Sequence, residues 1–268
     1  MARKIYGAKA GLMTLQLNAS DDRGIGVVRD DIQEFASTSR LFSKGFKLVI
    51  LDECDAMTKD AQFALRRVIE KYAKTTRFCL ICNYVSKIIP ALQSRCTRFR
   101  FSPLPAAFIR ERVGFIAERE GAEVGPGAME ALVTLGGGDM RRTLNILQAT
   151  CMGAGAPTED AVYDCTGSPR PADIRTMVQW LLDQSFADAF HKVRDLQQAR
   201  GLALVDIVRE IHPWCFKIDM PEAARMDLVE RLADLENTLS TGAHDRLQLG
   251  SLIHAFVDAR LAIVAAAS

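Results

Sequence analysis

Lys47-Leu48-Val49-Ile50-Leu51-Asp52-Glu53-Cys54-Asp55 is the stretch from which the rest of this 268-residue chain is read. Four consecutive aliphatic residues, with no polar alternation, spell a strand buried on both faces, as in a parallel sheet covered by helices. The strand then stops in carboxylates. In open α/β sheets the ligand lies just beyond the carboxyl ends of the strands. An Asp at that rim can hold Mg²⁺, directly or through water, and a Glu beside it can polarise a water for attack on a phosphate. A core strand followed by a solvated acidic turn spells the same letters, so this stretch alone leaves both readings open.

The neighbouring segments repeat the pattern. Met13-Thr14-Leu15-Gln16-Leu17-Asn18 reads as a strand ending in Asn, and Arg77-Phe78-Cys79-Leu80-Ile81-Cys82-Asn83 as another. Between them, residues 25–42 carry Val28, Ile32 and Phe35 at helical spacing. Thr58 reads as the N-cap of a helix over 59–73. Ser86 reads as the cap of a short helix toward Gln93, and Thr97-Arg98-Phe99-Arg100-Phe101 alternates as a strand does. Three strands of a βαβ series ending in Asn18, Asp52-Glu53 and Asn83 point to a nucleotide-phosphate edge.

Composition is that of an ordinary globular chain, 49% hydrophobic and 25% charged. The sequence reads as having no apolar run near the ~20 residues of a membrane span, and the N-terminus lacks an apolar signal core. Seven scattered cysteines read as the reduced thiols of an intracellular protein. Cys79 and Cys82 have C-x-x-C spacing but sit within an apolar strand without a second pair, and His191, His212, His244 and His254 form no ligand pattern. The net charge of +1 is unevenly spread: residues 1–102 hold 18 Lys/Arg against 10 Asp/Glu, and the remainder 16 against 23. A basic first domain suits a polyanionic partner, although a solvated surface reads the same way.

Pro103 and Pro105 close the sheet domain. Residues 106–167 read as a small helical bundle (106–120, 127–135, 139–150, 158–164), with Asp139 as an N-cap that puts Arg141 in the first turn of its helix. Pro169 and Pro171 mark a second boundary. Helical spacing then continues through 174–182, 186–199, 203–217, 222–239 and 246–264, with no catalytic constellation. Trp180, Trp214 and Phe216 read as packing residues.

Leu17-Asn18-Ala19-Ser20-Asp21-Asp22-Arg23-Gly24-Ile25, residues 46–55, Ala64-Leu65-Arg66-Arg67, residues 77–84 and Leu92-Gln93-Ser94-Arg95-Cys96 together resemble the small subunits of replication factor C. The resemblance continues in Gly138-Asp139-Met140-Arg141-Arg142, Cys165-Thr166-Gly167-Ser168-Pro169 and Gly201-Leu202-Ala203-Leu204, and so spans essentially the whole chain. That family is the eukaryotic sliding-clamp loader, built from AAA+ ATPase subunits. The resemblance implies an α/β AAA+ core over 1–102, an all-α lid domain over 103–167 and an all-α collar over 168–268. It implies a nuclear hetero-pentamer with the other replication factor C subunits that uses ATP and Mg²⁺ to load the sliding clamp PCNA onto primer–template DNA.

Residue by residue, it makes Asp52 and Glu53 the Walker B pair, with Mg²⁺ on Asp52. Asn83 becomes sensor 1 and Arg141 sensor 2, and Asp52, Asn83 and Arg141 face the nucleotide. Arg95 becomes the arginine finger for the ATP of the neighbouring subunit, where a guanidinium offsets charge on the transferred phosphoryl. Arg29 and Lys87, with Arg23 and Lys59 secondary to them, fall where the family tracks the DNA backbone by sequence-independent phosphate contacts. Leu41 and Phe42, in Ser39-Arg40-Leu41-Phe42-Ser43-Lys44-Gly45-Phe46, fall where the family meets the clamp; core packing would use the same residues.

A phosphate loop of the form G-x-x-x-x-G-K-[ST], whose backbone N–H groups cradle phosphate, does not occur in these residues. Gly7 has Leu12 where the second Gly is needed, and Gly136-Gly137-Gly138 is followed by Asp139. In the family the loop and its strand lie upstream of residue 1, and that strand is central to the sheet. The expectation is a core lacking the Walker A strand, an N-terminally truncated chain, and little ATP binding or turnover by the chain alone. Two other readings fit parts of the sequence. One is a non-hydrolysing scaffold subunit of the same ring. The other is an RNA helicase fragment carrying a D-E-C-D box at residues 52–55, which the ending Cys82-Asn83-Tyr84 disfavours, since such helicases place Ser-Ala-Thr there.

Overall fold

The computed structural model describes residues 2–20, 26, 28–38 and 45–267; the side chains of residues 28, 29, 154, 266 and 267 are not described. The chain divides into two compact units, Met1–Phe101 and Ser102–Ser268.

The first unit is built on a three-stranded parallel sheet in the order β1 (Thr14–Asn18), β2 (Lys47–Asp52), β3 (Thr76–Leu80). The central strand β2 fully encloses one face, at Val49 and Leu51; on the other Leu48 is buried and Ile50 only half-buried, so the expected burial on both faces is met in part. Parallel pairing sets Asn18 opposite Asp52 and Leu51 opposite Leu80. The helix Lys59–Tyr72 starts where Thr58 takes up an extended conformation and its hydroxyl accepts the Ala61 N–H at 3.3 Å. It lays Ala61, Leu65, Val68 and Ile69 on the sheet, where they join Ile32, Ala36, Ile88 and Leu92 in one core. Each Val or Leu fully buried there contributes roughly 1.5–3 kcal/mol.

Lys47 is buried at the start of β2. Its ammonium donates to the carbonyls of Phe35, at 2.6 Å, and Thr38. It thus closes the C-terminal end of the helix Gln33–Ser37, where the helix dipole favours a cation.

Several boundaries differ from the sequence reading. Met13 belongs to a short helix, Ala10–Met13, and β1 begins at Thr14. Within 25–42 the described backbone is helical at Gly26 and over 28–37. β3 ends at Leu80, so Asn83 lies in the turn beyond it. Ser86 caps nothing: it sits in a 3-10 turn, Val85–Lys87, and the next helix, Pro90–Gln93, is started by Pro90, whose missing N–H costs nothing at a first-turn position.

Residues 97–101 form no strand, and Phe99 and Phe101 are 77% and 92% exposed. An alternating pattern becomes a strand only where a partner takes its N–H and C=O groups; among the described residues the outer edge of β3 is unpaired and residues 97–101 do not take it. The core is therefore α/β with a sheet reduced to three strands.

The second unit is all helix and holds two apolar clusters. One gathers Ile109, Val113, Leu132, Leu147 and Val162 from the helices Ala106–Glu120, Pro126–Gly136, Met140–Ala154 and Glu159–Thr166. The other gathers Met177, Val193, Ile207, Leu232, Leu252 and Phe256 from the helices that follow. Arg170, between the two sets, pairs with Asp160 and Asp164, both at 2.7 Å. The helix read over 203–217 breaks at Ile211 into a 3-10 turn, His212–Phe216, because Pro213 has no N–H to donate and its ring crowds the preceding turn.

The last helix, Asp245–Ala267, corrects the reading that no apolar run nears membrane-span length. Its residues 245–265 are long and apolar enough to cross a membrane by length and composition. Asp258 and Arg260 hide the run from inspection. In the structure Leu249, Leu252, Ile253, Ala255, Phe256 and Ala259 spend that apolar face on the second cluster.

Candidate functional site

The carboxyl ends of the three strands form a rim fastened by backbone bonds. Past Asp52 the Ala19 N–H reaches the Asp52 carbonyl at 2.9 Å, the Ile81 N–H the Leu51 carbonyl at 2.9 Å, and the Cys54 N–H the Ile81 carbonyl at 2.9 Å. The turn after Asn18, the acidic turn after β2 and the turn after β3 are thus held together. Asn18 spends its side-chain oxygen locally, accepting the Ser20 N–H at 3.0 Å and hydroxyl at 2.9 Å.

At the centre stand three carboxylates. Asp52 Oδ1 accepts the Glu53 N–H at 3.0 Å. Glu53 is exposed and has φ 54°; among the described residues it is the one non-glycine with positive φ. The left-handed region costs a residue with a Cβ about 1 kcal/mol, and such strain gathers at working sites. Here it turns the chain sharply out of β2. Asp55 Oδ1 accepts the Asn83 N–H at 3.4 Å, which brings Asn83 to the acidic turn. Cys54 points inward, its Sγ donating to the Leu51 carbonyl at 3.0 Å; burial pushes this thiol up to about 12, and burial likewise raises Cys82. Neither thiol is ionised near neutrality, so the cysteines at the rim offer no thiolate for metal or redox chemistry.

Hard carboxylate oxygens suit Mg²⁺, which takes one or two of them and fills the rest of its shell with water and phosphate oxygens. Among the described residues no group of three or more His, Cys, Asp or Glu is arranged to hold an ion by itself. Asp52 and Glu53 therefore fit the metal side of a nucleotide site, while a phosphate-cradling loop is not among the residues of this chain.

Around the rim, Lys87 is exposed as the last residue of a 3-10 turn, not at a helix start, with its ammonium 4.9 Å from the Tyr84 ring centroid. Lys59 is exposed at the first position of its helix. Arg29 lies in the helical turn Val28–Ile32. Arg23, Leu41 and Phe42 lie outside the described residues.

Arg95 follows the helix Pro90–Gln93 at the surface of the first unit. Its Nη1 donates to the Ala91 carbonyl at 2.7 Å and its Nη2 lies 2.5 Å from Glu70 Oε1. Arg141 belongs to the second unit, where Asp139 Oδ1 accepts the N–H groups of Arg141 at 2.8 Å and Arg142 at 3.2 Å. The glycines ahead of that cap are shaped by packing. Gly138, at φ 86°, accepts the Leu104 N–H on its carbonyl oxygen at 2.9 Å, and a Cβ there would stand 2.4 Å from Pro103 Cβ.

Two polar residues escaped the sequence reading. Gln62 is 1% exposed, in the middle of an apolar helix face. Its Nε2 donates to the carbonyls of Met57 at 3.2 Å and Lys87 at 3.1 Å, and its Oε1 accepts the Ile89 N–H at 2.8 Å. It ties the helix after the acidic turn to the segment that carries Lys87. A polar letter among Ala61, Leu65 and Val68 was the available signal. Glu70, which pairs with both Arg66 and Arg95, is the other; its i,i+4 spacing from Arg66 is legible locally, whereas nothing local marks its partner Arg95.

Two family models match the chain: replication factor C C-terminal domain over residues 169–255, and DNA polymerase III, delta subunit over residues 14–105. Among curated relatives, replication factor C subunit 3 of Oryza sativa is 56% identical over all of this chain and 75% of its own length. Replication factor C subunit 5 of Homo sapiens is 54% identical over 99% of this chain and 78% of its own length, and subunit 3 of Saccharomyces cerevisiae 46% identical over 95% and 77%. Among solved structures, Thermotoga maritima RuvB T158V aligns over 76% of this chain and 70% of that chain at TM-score 0.49 and 12% identity, too slight a likeness to bear on function.

Proposed function

The chain belongs to the family of replication factor C subunits, and on that footing we propose that it is a working part of a clamp-loading ring that places the sliding clamp PCNA on primer–template DNA. The observation that carries the reading is the rim. Parallel register sets Asn18 beside Asp52, and the Asn83 N–H rests on the carboxylate of Asp55. This is the arrangement that triphosphate chemistry at a strand edge needs.

In this reading Asp52 is the carboxylate that holds Mg²⁺, which when bound supplies positive charge against the phosphate oxygens. Glu53, carried outward by its left-handed backbone, orients a water and accepts its proton. Asn83 positions the same water through its side-chain amide. Arg141, set in the first turn of its helix by Asp139, faces the nucleotide of its own chain, and Arg95 serves that of the neighbour. Lys87, Lys59, Arg29 and Arg23 follow the DNA backbone, Leu41 and Phe42 meet the clamp, and residues 168–268 join the other subunits in the collar of a nuclear hetero-pentamer.

The test is Arg95→Ala in a ring reconstituted with its partner subunits. DNA-stimulated ATP turnover at the site Arg95 serves should fall by about 10³-fold or more, the usual worth of such a finger, while the isolated chain is unaffected. Equal turnover by mutant and wild-type rings would remove Arg95 from the mechanism.

A further inference from the structure

We propose that Glu70 is the positioning residue for Arg95, holding its guanidinium at the subunit surface in the orientation that serves the neighbouring protomer's triphosphate. The proposal rests on the reading of Arg95 as a finger acting in trans and adds to it a partner 25 residues away in the chain, on a different helix.

An exposed arginine is a poor finger by itself, since its side chain carries about 2 kcal/mol of rotamer entropy that must be lost on contact. Arg95 has been relieved of much of that freedom. Its side chain is 33% exposed, Nη1 donates to the Ala91 carbonyl at 2.7 Å and the Ser94 hydroxyl at 3.3 Å, and Nη2 meets Glu70 at 2.5 Å. Ala91 and Ser94 belong to its own turn; among the described residues Glu70 is the one that reaches it from another element. These bonds use three of the five N–H donors of a guanidinium and leave two, the number a bidentate phosphate contact takes.

A carboxylate beside a finger could equally cancel its charge and park it. The third member of the cluster decides against that. Glu70 Oε1 also meets Arg66 Nε at 3.1 Å, so one carboxylate is shared by two guanidiniums and the cluster keeps a net charge of +1. Glu70 orients Arg95 while Arg66 balances Glu70. The Arg66 hydrogen bond, with the nearby charge of Arg95, holds the Glu70 carboxyl below the usual carboxylate range, so it remains ionised at any pH near neutrality.

The experiment is steady-state ATP turnover, stimulated by DNA and clamp, of rings assembled with Glu70→Gln, Glu70→Asp, Arg95→Ala and the double variant Glu70→Gln/Arg95→Ala. Glu70→Gln should lower kcat several-fold with KM for ATP changed by less than about twofold, because the neighbour's own site binds the nucleotide. Glu70→Asp should restore part of kcat, and the double variant should be no slower than Arg95→Ala alone. If Arg95→Ala slows the ring but Glu70→Gln turns over as fast as wild type, or faster, the positioning role is overturned and the finger stands. If Arg95→Ala has no effect, the finger reading itself fails. A fall in kcat for Glu70→Gln that only tracks loss of assembled ring on size-exclusion chromatography also overturns the proposal.

Discussion

In the first unit the buried polar side chains Gln62 and Lys47 reach backbone groups of other elements; in the second, Thr143 and Thr150 each return to the carbonyl four residues back in their own helix or its cap. The first arrangement makes the position of one segment depend on another far away in sequence, as the Lys87 turn depends on the helix Lys59–Tyr72. The second closes within one helix and leaves the buried core to apolar packing, while the half-buried Arg260 guanidinium ties helices at its edge, donating to the Leu182 and Gln184 carbonyls at 3.2 and 2.6 Å. Side chains meant for chemistry on a polyanion need the first kind of support, because their heads are exposed and cannot be fixed by burial. A packing unit needs only the second.

The contrast is tested most severely in the second cluster. Phe256 is fully buried there, and Phe256→Ala should cost about 3–5 kcal/mol, read as a lower thermal midpoint by circular dichroism. A loss under 1 kcal/mol would mean that packing is not what holds the helices of the second unit together.

Gln62 gives the complementary test. Gln62→Leu keeps the volume but strands the buried Ile89 N–H and two carbonyls, a cost of about 1–3 kcal/mol. Thr150→Val deletes a hydroxyl whose acceptor, the Ile146 carbonyl, is already within a helix, and should change stability by less than about 0.5 kcal/mol. Urea unfolding of the two variants checks the pair; equal losses would erase the distinction between the units.

The sequence made legible what is written locally. Four aliphatic residues ending in Asp52 spelled the central strand, Thr58 and Asp139 announced their helices, and the helix over Ala106–Glu120 was read to the residue. What failed was whatever depends on a partner elsewhere. Residues 97–101 alternate like a strand but pair with none, β3 stops at Leu80, and what the apolar run of the last helix packs against shows only in the core around Phe256. The site divides the same way. Asp52 and Glu53 stand at a strand end that periodicity can find, and Asn83 lies in the turn just past another. Gln62 and Glu70 also act across the fold, on Ile89 and Arg95, 27 and 25 residues away, which no short window of sequence brings together.

Glu53 carries the smallest effect and the sharpest contrast, because there the two demands on one residue oppose each other. Its φ of 54° is a conformation that glycine adopts freely and a residue with a Cβ adopts at a cost. The second unit gives such positions to glycine, as at Gly121, Gly167 and Gly201. The rim gives one to a glutamate, which makes sense only if the carboxylate is needed there. Glu53→Gly should therefore stabilise the first unit, by up to about 1 kcal/mol once the extra freedom of glycine in the unfolded chain is counted against the relieved strain. Glu53→Ala, which keeps the Cβ, should bring no such gain. If Glu53 acts as proposed, both variants should also lower ATP turnover by the assembled ring. Denaturant midpoints of the two, measured side by side, separate strain from charge. If glycine were no more stable than alanine at this position, the left-handed turn would not be a cost the fold bears for the sake of the carboxylate.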